Sequence, residues 1–386
     1  MKTIVKLFVL IIILSFNILP QDDNKITVGD RITIKSDVLG AERQILISLP
    51  PGYNQGTAEY PVFYVLDGNV HFNYISGIVN YLAQNGKIPQ MIVVGVVNIN
   101  RTLDFTPTTS AEFQGTGGGE KFFPFITNEL LPYIDNNYRT QPYRILFGHS
   151  LTGMYSIYTF LREPDLFNAF LAASPYVMYD KNYIVESAKT KLKDSYDSKR
   201  FLFITIGSRE PEYFPALDEL TGLFKSKSPD NFEWKYIREE NGDHATTPVK
   251  TINEGLLALY SDWALPANFA AEGNLAKLKD HYKNLTDKYG YTIKAPEGLV
   301  NIVGYQVMGQ GRIDDALDIF EYNVSQYPES VNVYDSYGEG LEAAGKLESA
   351  KENYEKAVKL GEEKNDPNLN IYKQHLEGVQ KKMAAN

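Results

Sequence analysis

The chain has 386 residues, enough for two domains and a sizeable core. Its formal charge of −10 excludes a general nucleic-acid binder, which needs a basic face. It has no cysteine, which rules out disulfides, a thiol nucleophile, a lipoprotein anchor and any cysteine-ligated zinc or iron–sulfur site.

In chain order, residues 1–20 read as a secretory leader. Lys2 and Lys6 give a positive start, Leu7–Phe16 is almost unbroken apolar, and Gln21-Asp22-Asp23-Asn24 turns abruptly polar. The apolar run is short for a membrane span, which needs about 20 residues. Ile18 and Pro20 are not the small residues a signal peptidase prefers, so an uncleaved anchor is the alternative. Either reading implies export, to the periplasm or beyond the cell.

Ile26–Ser36 and Glu42–Leu49 alternate apolar and polar residues, as half-exposed antiparallel strands do. Tyr60–Leu66 and Met91–Val97 are continuous apolar runs suited to buried parallel strands, with Asp67-Gly68-Asn69 closing the first and a helix expected over Gly77–Ala83. Phe122–Ile134 reads as a helix, and Tyr143–Phe147, Ala169–Ala173, Phe201–Ile206 and Phe232–Ile237 as further strands. Strands alternating with helices imply a doubly wound, mostly parallel sheet with its chemistry at the C-terminal strand ends.

The strand Tyr143–Phe147 runs into Gly148-His149-Ser150-Leu151-Thr152-Gly153 and then into an apolar helix, Gly153–Leu161. This fits a nucleophile elbow, with the second glycine one place later than the strict Gly-x-Ser-x-Gly spacing. A strand turning sharply into a helix leaves no room for side chains beside the turn, so glycines flank it and Ser150 is held exposed. The helix N-terminus also favours the negative charge that develops in acyl transfer. The plainer alternative is a chance Gly-His-Ser in a tight turn.

Several ordered motifs agree with the elbow. Pro50-Pro51-Gly52-Tyr53, then Tyr60 through Gly68, His71-Phe72, Asn100-Arg101 with Asp104-Phe105-Thr106-Pro107, and Gly148 through Gly153 together resemble the putative esterase family of α/β-hydrolases, over residues 26–265. That family includes esterase D, feruloyl esterases and siderophore esterases of the enterochelin-hydrolase type, and the siderophore-esterase-like branch is the most similar. The resemblance implies an α/β-hydrolase fold and a serine esterase that needs no metal or cofactor.

The base of such a site is a histidine late in the chain, after the nucleophile and the last strand. Of five histidines, His149 sits in the elbow, where packing or hydrogen bonding suits it; His71 precedes Ser150, where it would line the pocket; His281 and His375 lie in later helical segments. His244 remains, in Asn241-Gly242-Asp243-His244, and the resemblance supports it through an Asp-His-x-x-x-Pro turn that ends at Pro248. The resemblance also implies Glu210, in Gly207-Ser208-Arg209-Glu210, as the acid that orients the imidazole, with Glu212 and Asp243 as alternatives. The oxyanion hole falls to the backbone N–H of Leu151 and, by resemblance, of Asn69, with Gly68 allowing close approach. Arg101 is either a substrate contact or half of an internal Arg101–Asp104 pair that holds its loop, the second being the simpler. Gly115–Gly119 reads as a mobile loop over the pocket. Tyr176–Tyr183 with Tyr213-Phe214 reads as a cap, serving either packing or an aromatic acyl group.

After Trp263 the pattern changes, and residues 272–386 read as a helical domain. Asn274–Tyr289 is an amphipathic helix. Gly304, Gly311, Ala316, Phe320 and Val324 then recur as Gly338, Gly345, Ala350, Tyr354 and Val358, each 34 residues later, which is the tetratricopeptide period. Two repeats are too few for an independent array. The leading helix and a tail helix, Asn368–Met383, are therefore expected to cap them, and the array to dock on the hydrolase.

The sequence thus reads as an exported serine carboxylic-ester hydrolase of the α/β-hydrolase fold, followed by a small all-α tetratricopeptide-like domain. Its substrate would be a small-molecule or glycan-linked ester: a siderophore-type lactone, a feruloyl or acetyl ester, or a short-chain ester. The rival readings are an acyltransferase using the same site, and a non-catalytic protein whose repeats bind a partner or a second copy.

Overall fold

The structure is a computed structural model and describes residues 26–266 and 269–385. The expected leader, residues 1–20, lies outside the described residues.

Eight strands form one sheet: β1 (Asp30–Ser36), β2 (Ala41–Ser48), β3 (Tyr60–Val65), β4 (Ile92–Val96), β5 (Thr140–His149), β6 (Ala169–Ala173), β7 (Arg200–Gly207) and β8 (Phe232–Glu239). Their spatial order is β1-β2-β4-β3-β5-β6-β7-β8. β2 runs antiparallel to both β1 and β4, and every other neighbouring pair is parallel. The mostly parallel, doubly wound sheet expected from the sequence is therefore present.

Burial explains the residue pattern. Every residue of β3, β4, β6 and β7 is buried, because helices cover both faces of the sheet. Along β3, Val62 and Tyr64 join one apolar layer while Phe63 and Val65 join the other. The first layer holds helices Leu151–Arg162, Tyr179–Lys191 and Phe214–Lys227, and the helical segments from Gly119 to Asn137 that a π-helical turn, Ile126–Leu130, joins. The second holds helices Gly68–Gln84 and Thr247–Leu259.

One helix is longer than expected. It starts at Gly68 rather than Gly77. The turn residues Asp67-Gly68-Asn69 hide its beginning, yet buried Phe72, Ile75, Val79 and Leu82 continue a single apolar stripe. Asp67 adopts a left-handed backbone, with φ of 55°, and turns the chain from strand directly into helix.

The C-terminal region is all helical: Leu275–Tyr289, Glu297–Gly309, Ile313–Gln326, Val331–Ala343, Leu347–Lys364 and Leu369–Ala385. Two hairpins repeat in register, Val331 starting its helix 34 residues after Glu297 and Leu347 after Ile313. The repeated small residues have a steric cause. A Cβ on Gly304 would lie 2.6 Å from the Phe320 ring, and one on Gly338 would lie 2.6 Å from the Tyr354 ring. Gly311 and Gly345 turn the two hairpins with φ of 78° and 73°. This region shares the second layer's core. Tyr289 packs 5.4 Å from Tyr143 of β5 and 5.0 Å from Tyr260, and its hydroxyl donates to the Leu259 carbonyl at 3.0 Å.

Candidate active site

The C-terminal strand ends converge on Ser150. β5 stops at His149, the helix begins at Leu151, and Ser150 between them has φ of 59° and ψ of −116°. A Cβ on Gly148 would lie 2.0 Å from the Thr152 carbonyl oxygen, and one on Gly153 would lie 2.9 Å from the Ala173 carbonyl oxygen. Both glycines are thus fixed by backbone approach, as a sharp strand–helix turn requires. Thr152 occupies the place of the strict motif's second glycine. It is fully buried; the His149 N–H donates to its hydroxyl at 2.8 Å, and the hydroxyl donates to Asp67 Oδ2 at 2.7 Å.

His244 lies in the turn between β8 and helix Thr247–Leu259, and its Nδ1 is 2.5 Å from Glu210 Oε1. Glu210 is only 4% exposed. Its other oxygen accepts from the Ser174 hydroxyl at 2.8 Å and the Gly207 N–H at 3.0 Å. Of the three acids considered, Glu210 is therefore the one joined to His244. Asp243 instead accepts from the N–H groups of Ala245 and Thr246, both at 3.0 Å, and organises the turn, which keeps its carboxyl below the usual range. Glu212 is exposed. The Ser150 N–H donates to the Ala173 carbonyl at 2.9 Å, so β6 and its next residue, Ser174, connect the serine's backbone to the acid. No hydrogen bond among the described residues joins the Ser150 hydroxyl to His244; the two rings of His149 and His244 are 4.6 Å apart.

The first helical turns at Leu151 and at Asn69 each carry N–H groups with no acceptor one turn back, the type of donor an oxyanion hole uses. Asp67 ties these turns together. Besides Thr152, it accepts from Arg101 Nε at 2.9 Å and Nη2 at 3.0 Å, and from Asn98.

Several expected roles change. Arg101 does not pair with Asp104. It holds Asp67 and also donates to the His149 carbonyl at 3.0 Å, so it braces the elbow. Asp104 pairs instead with Arg43 of β2, Nη1 to Oδ2 at 2.7 Å, because both are buried on the same side of the sheet. Gly68 does allow a close backbone approach, and the approach is to β4: a Cβ there would lie 2.6 Å from the Gly95 backbone. His71 is 5% exposed and packs edge-on to Phe147 and His149, with Nδ1 2.8 Å from the Tyr74 hydroxyl, so it supports the site from below. His149 lies between His71 and His244. Burial, aided by the positive charge His244 and His71 would carry, pushes its pKa down to about 3, so it stays neutral. Burial lowers His71 as well.

The Gly115–Gly119 segment is a packed turn rather than an open loop. Gly117 N–H donates to Thr106 Oγ1 at 2.7 Å, Gly119 N–H to the Thr106 carbonyl at 2.8 Å, and a Cβ on Gly117 would lie 2.4 Å from Thr109 Oγ1. Just before it, Phe113 is 41% exposed and sits 6.3 Å from Tyr176. Tyr176 is 5.9 Å from Tyr213, which is 6.0 Å from His244. An aromatic wall thus leads away from the histidine. Asp67, Thr152, Ser174 and Phe113 were not identified from sequence. The displaced second glycine of the elbow was the one available signal, since it marks Thr152 as unusual.

Comparison with known proteins gives the family and the fold. Residues 36–212 match the family described as Putative esterase. The ferri-bacillibactin esterase BesA of Bacillus subtilis is 30% identical over 203 residues, covering 47% of this chain and 67% of that protein. The siderophore triacetylfusarinine C esterase of Aspergillus fumigatus is 22% identical over 248 residues, covering 54% and 84%. Among solved structures, an IroE-like serine hydrolase from Shewanella oneidensis superposes with a TM-score of 0.68 at 22% identity, over 78% of this chain and 99% of that one, which supports the fold.

Proposed function

The chain belongs to the Putative esterase family and is a serine-esterase-type hydrolase, and from that premise we propose that it is an exported enzyme cleaving siderophore-type esters through a Ser150–His244–Glu210 triad. The observation that carries the triad is the buried Glu210 carboxylate 2.5 Å from His244 Nδ1, with the His244 ring 4.6 Å from that of His149, the residue before the strained Ser150.

In this mechanism His244 Nε2 takes the Ser150 proton as Oγ attacks the ester carbonyl carbon. Glu210 fixes the imidazole with its proton on Nδ1 and stabilises the imidazolium that forms. The N–H groups of Leu151 and Asn69 receive the oxyanion. Collapse breaks the bond to the leaving alcohol, which takes its proton from His244, and leaves Ser150 acylated. Water, giving a proton to His244, then releases the acid and restores Ser150. Rotation of the Ser150 side chain toward His244 accompanies substrate binding, since catalytic hydrogen bonds often tighten only in the complex.

Two relatives named as siderophore esterases support the substrate class. The aromatic wall of Tyr213, Tyr176 and Phe113 beside His244 supports an aromatic or bulky acyl group. The leader-like residues 1–20 support export, to the periplasm or outside the cell.

The test is hydrolysis of a p-nitrophenyl acyl-ester series and of a catecholate tri-lactone by the purified chain. Ser150→Ala and His244→Ala are expected to lose about 10,000-fold or more in kcat, and Glu210→Gln roughly 100-fold or more, with unchanged folding. Activity surviving Ser150→Ala overturns the nucleophile. A preference for short acetyl esters over the lactone overturns the substrate class.

A further inference from the structure

The second helical hairpin and the last helix carry a cluster that ester hydrolysis does not use. Asp335 and Glu339 are four residues apart in helix Val331–Ala343, so one helical turn brings their carboxylates to the same face. His375 reaches that face from helix Leu369–Ala385, with Nδ1 2.9 Å from Asp335 Oδ1 and 3.2 Å from Oδ2. One ligand atom from each of the three residues lies within 4.8 Å of the others.

The surroundings suit a cation better than a simple ion pair. Asp335 is 5% exposed, so its carboxylate faces the cluster rather than solvent. Among the described residues no lysine or arginine pairs with Asp335 or Glu339. The Tyr305 hydroxyl, from helix Glu297–Gly309, donates to Glu339 Oε1 at 2.9 Å and fixes that carboxylate from outside, as partners of ligating carboxylates do. The His375 side chain is 33% exposed, which leaves a route from solvent.

We propose that Asp335, Glu339 and His375 bind a divalent transition-metal cation of the Zn²⁺ class, which fastens the last helix to the second hairpin. Metal–ligand bonds of about 2.0–2.2 Å separate neighbouring ligand atoms by roughly 3.0–3.5 Å. The observed Nδ1–Oδ distances of 2.9 and 3.2 Å are already close to that edge. Glu339 completes the set by a small side-chain movement, and water fills the remaining position. The imidazole ligand selects Zn²⁺ over Mg²⁺, which favours all-oxygen sites.

The test uses the full chain, stripped with EDTA and titrated with Zn²⁺ or Mg²⁺ by calorimetry, with thermal unfolding followed in parallel. One equivalent of Zn²⁺ is expected to bind and to raise Tm by several degrees, while Mg²⁺ changes neither. His375→Ala and Glu339→Gln should each weaken that equivalent at least tenfold. Glu339→Gln keeps an acceptor for Tyr305, so the metal-free Tm of this variant should stay near wild type and any loss of binding reports the ligand alone. The remaining four histidines are elsewhere in the chain, so a Zn²⁺ equivalent that persists in both variants overturns the assignment. So does the absence of stoichiometric binding by the wild type, which would leave an ordinary histidine–aspartate pair, and equal affinity for Mg²⁺, which would refute the metal class.

Discussion

The strand-end edge of the sheet and the C-terminal helical region handle backbone strain in opposite ways. Eight non-glycine residues among those described have positive φ, and seven lie in the hydrolase region: Asp67, Ser150, Ser174 and Asn241 follow strand ends, and Asp180, Lys181 and Asn182 form a kink at the start of helix Tyr179–Lys191. The helical region has one, Asn365, at a helix C-cap where asparagine is well tolerated, and otherwise turns on Gly273, Gly290, Gly311 and Gly345. The contrast follows from what each region must hold. Hairpins need only turn. On the proposed mechanism the strand ends aim a hydroxyl, an imidazole and two sets of N–H groups at one volume, and side chains are needed at those turns, so glycine cannot serve. Each strained residue costs on the order of 1–3 kcal/mol and persists because hydrogen bonds around it over-determine its position. Asp67 and Ser174 illustrate this: one accepts from Arg101, Asn98 and Thr152, and the other holds Glu210.

The largest expected effect separates the regions directly. Ser150→Gly removes the proposed nucleophile and should reduce hydrolysis by about 10,000-fold or more. It should also stabilise the fold by about 1 kcal/mol, because φ of 59° with ψ of −116° suits only glycine, a relief partly offset by glycine's greater freedom when unfolded. Asn365→Gly in the helical region should change stability by only a few tenths of a kcal/mol. Thermal unfolding of both variants decides it: equal responses would mean that the elbow stores no more strain than an ordinary helix end.

A second pair of variants sharpens the comparison through packing. An added methyl at Gly148 meets backbone, the Thr152 carbonyl at 2.0 Å, whereas one at Gly304 meets only the Phe320 ring at 2.6 Å. A ring can turn aside and a backbone inside a braced turn cannot. Gly148→Ala should therefore cost about 3 kcal/mol or more and abolish activity, while Gly304→Ala should cost roughly 1–2 kcal/mol and leave hydrolysis unchanged. Denaturant unfolding with parallel ester assays measures both; loss of activity in Gly304→Ala would show that the helical region acts on the site.

What could be read in the sequence divides along the same line. The hairpins were legible because period and small-residue spacing are local, and the same steric need recurs after 34 residues. Ser150 and His244 stood out as candidates because an elbow motif and a chain-order rule mark them, and Glu210 through family resemblance; the structure joins Glu210 to His244. The residues that hold them were not. Thr152 reaches Asp67 across 85 residues and Ser174 reaches Glu210 across 36, and no spacing rule connects either pair. Arg101 misled for the same reason: its partner is Asp67 on another strand end, not the aspartate three residues on. The docking of Tyr289 against Tyr143 was equally hidden, since the two tyrosines come from regions with different sequence patterns.

The smallest expected effect concerns charge at the site. His149 has its pKa held near about 3 in the folded chain, against an ordinary unfolded value of about 6.5. Below the unfolded value the unfolded chain takes up a proton that the folded chain refuses, so this residue contributes a loss of stability as pH falls from about 6.5 toward 3. His71, also lowered, adds to the same acid limb. His149→Gln should make the fall in Tm between pH 7.5 and pH 5.0 shallower by the equivalent of roughly 1–2 kcal/mol, leaving the part due to His71. An unchanged slope would mean that His149 titrates normally. The same neutrality would serve the proposed chemistry: with its ring 4.6 Å from His244, a charged His149 would repel an imidazolium formed there when Ser150 gives up its proton. The row of imidazoles His71, His149 and His244 therefore costs acid stability and, on the proposed mechanism, keeps the proton acceptor free of a competing charge, a trade the helical region has no reason to make.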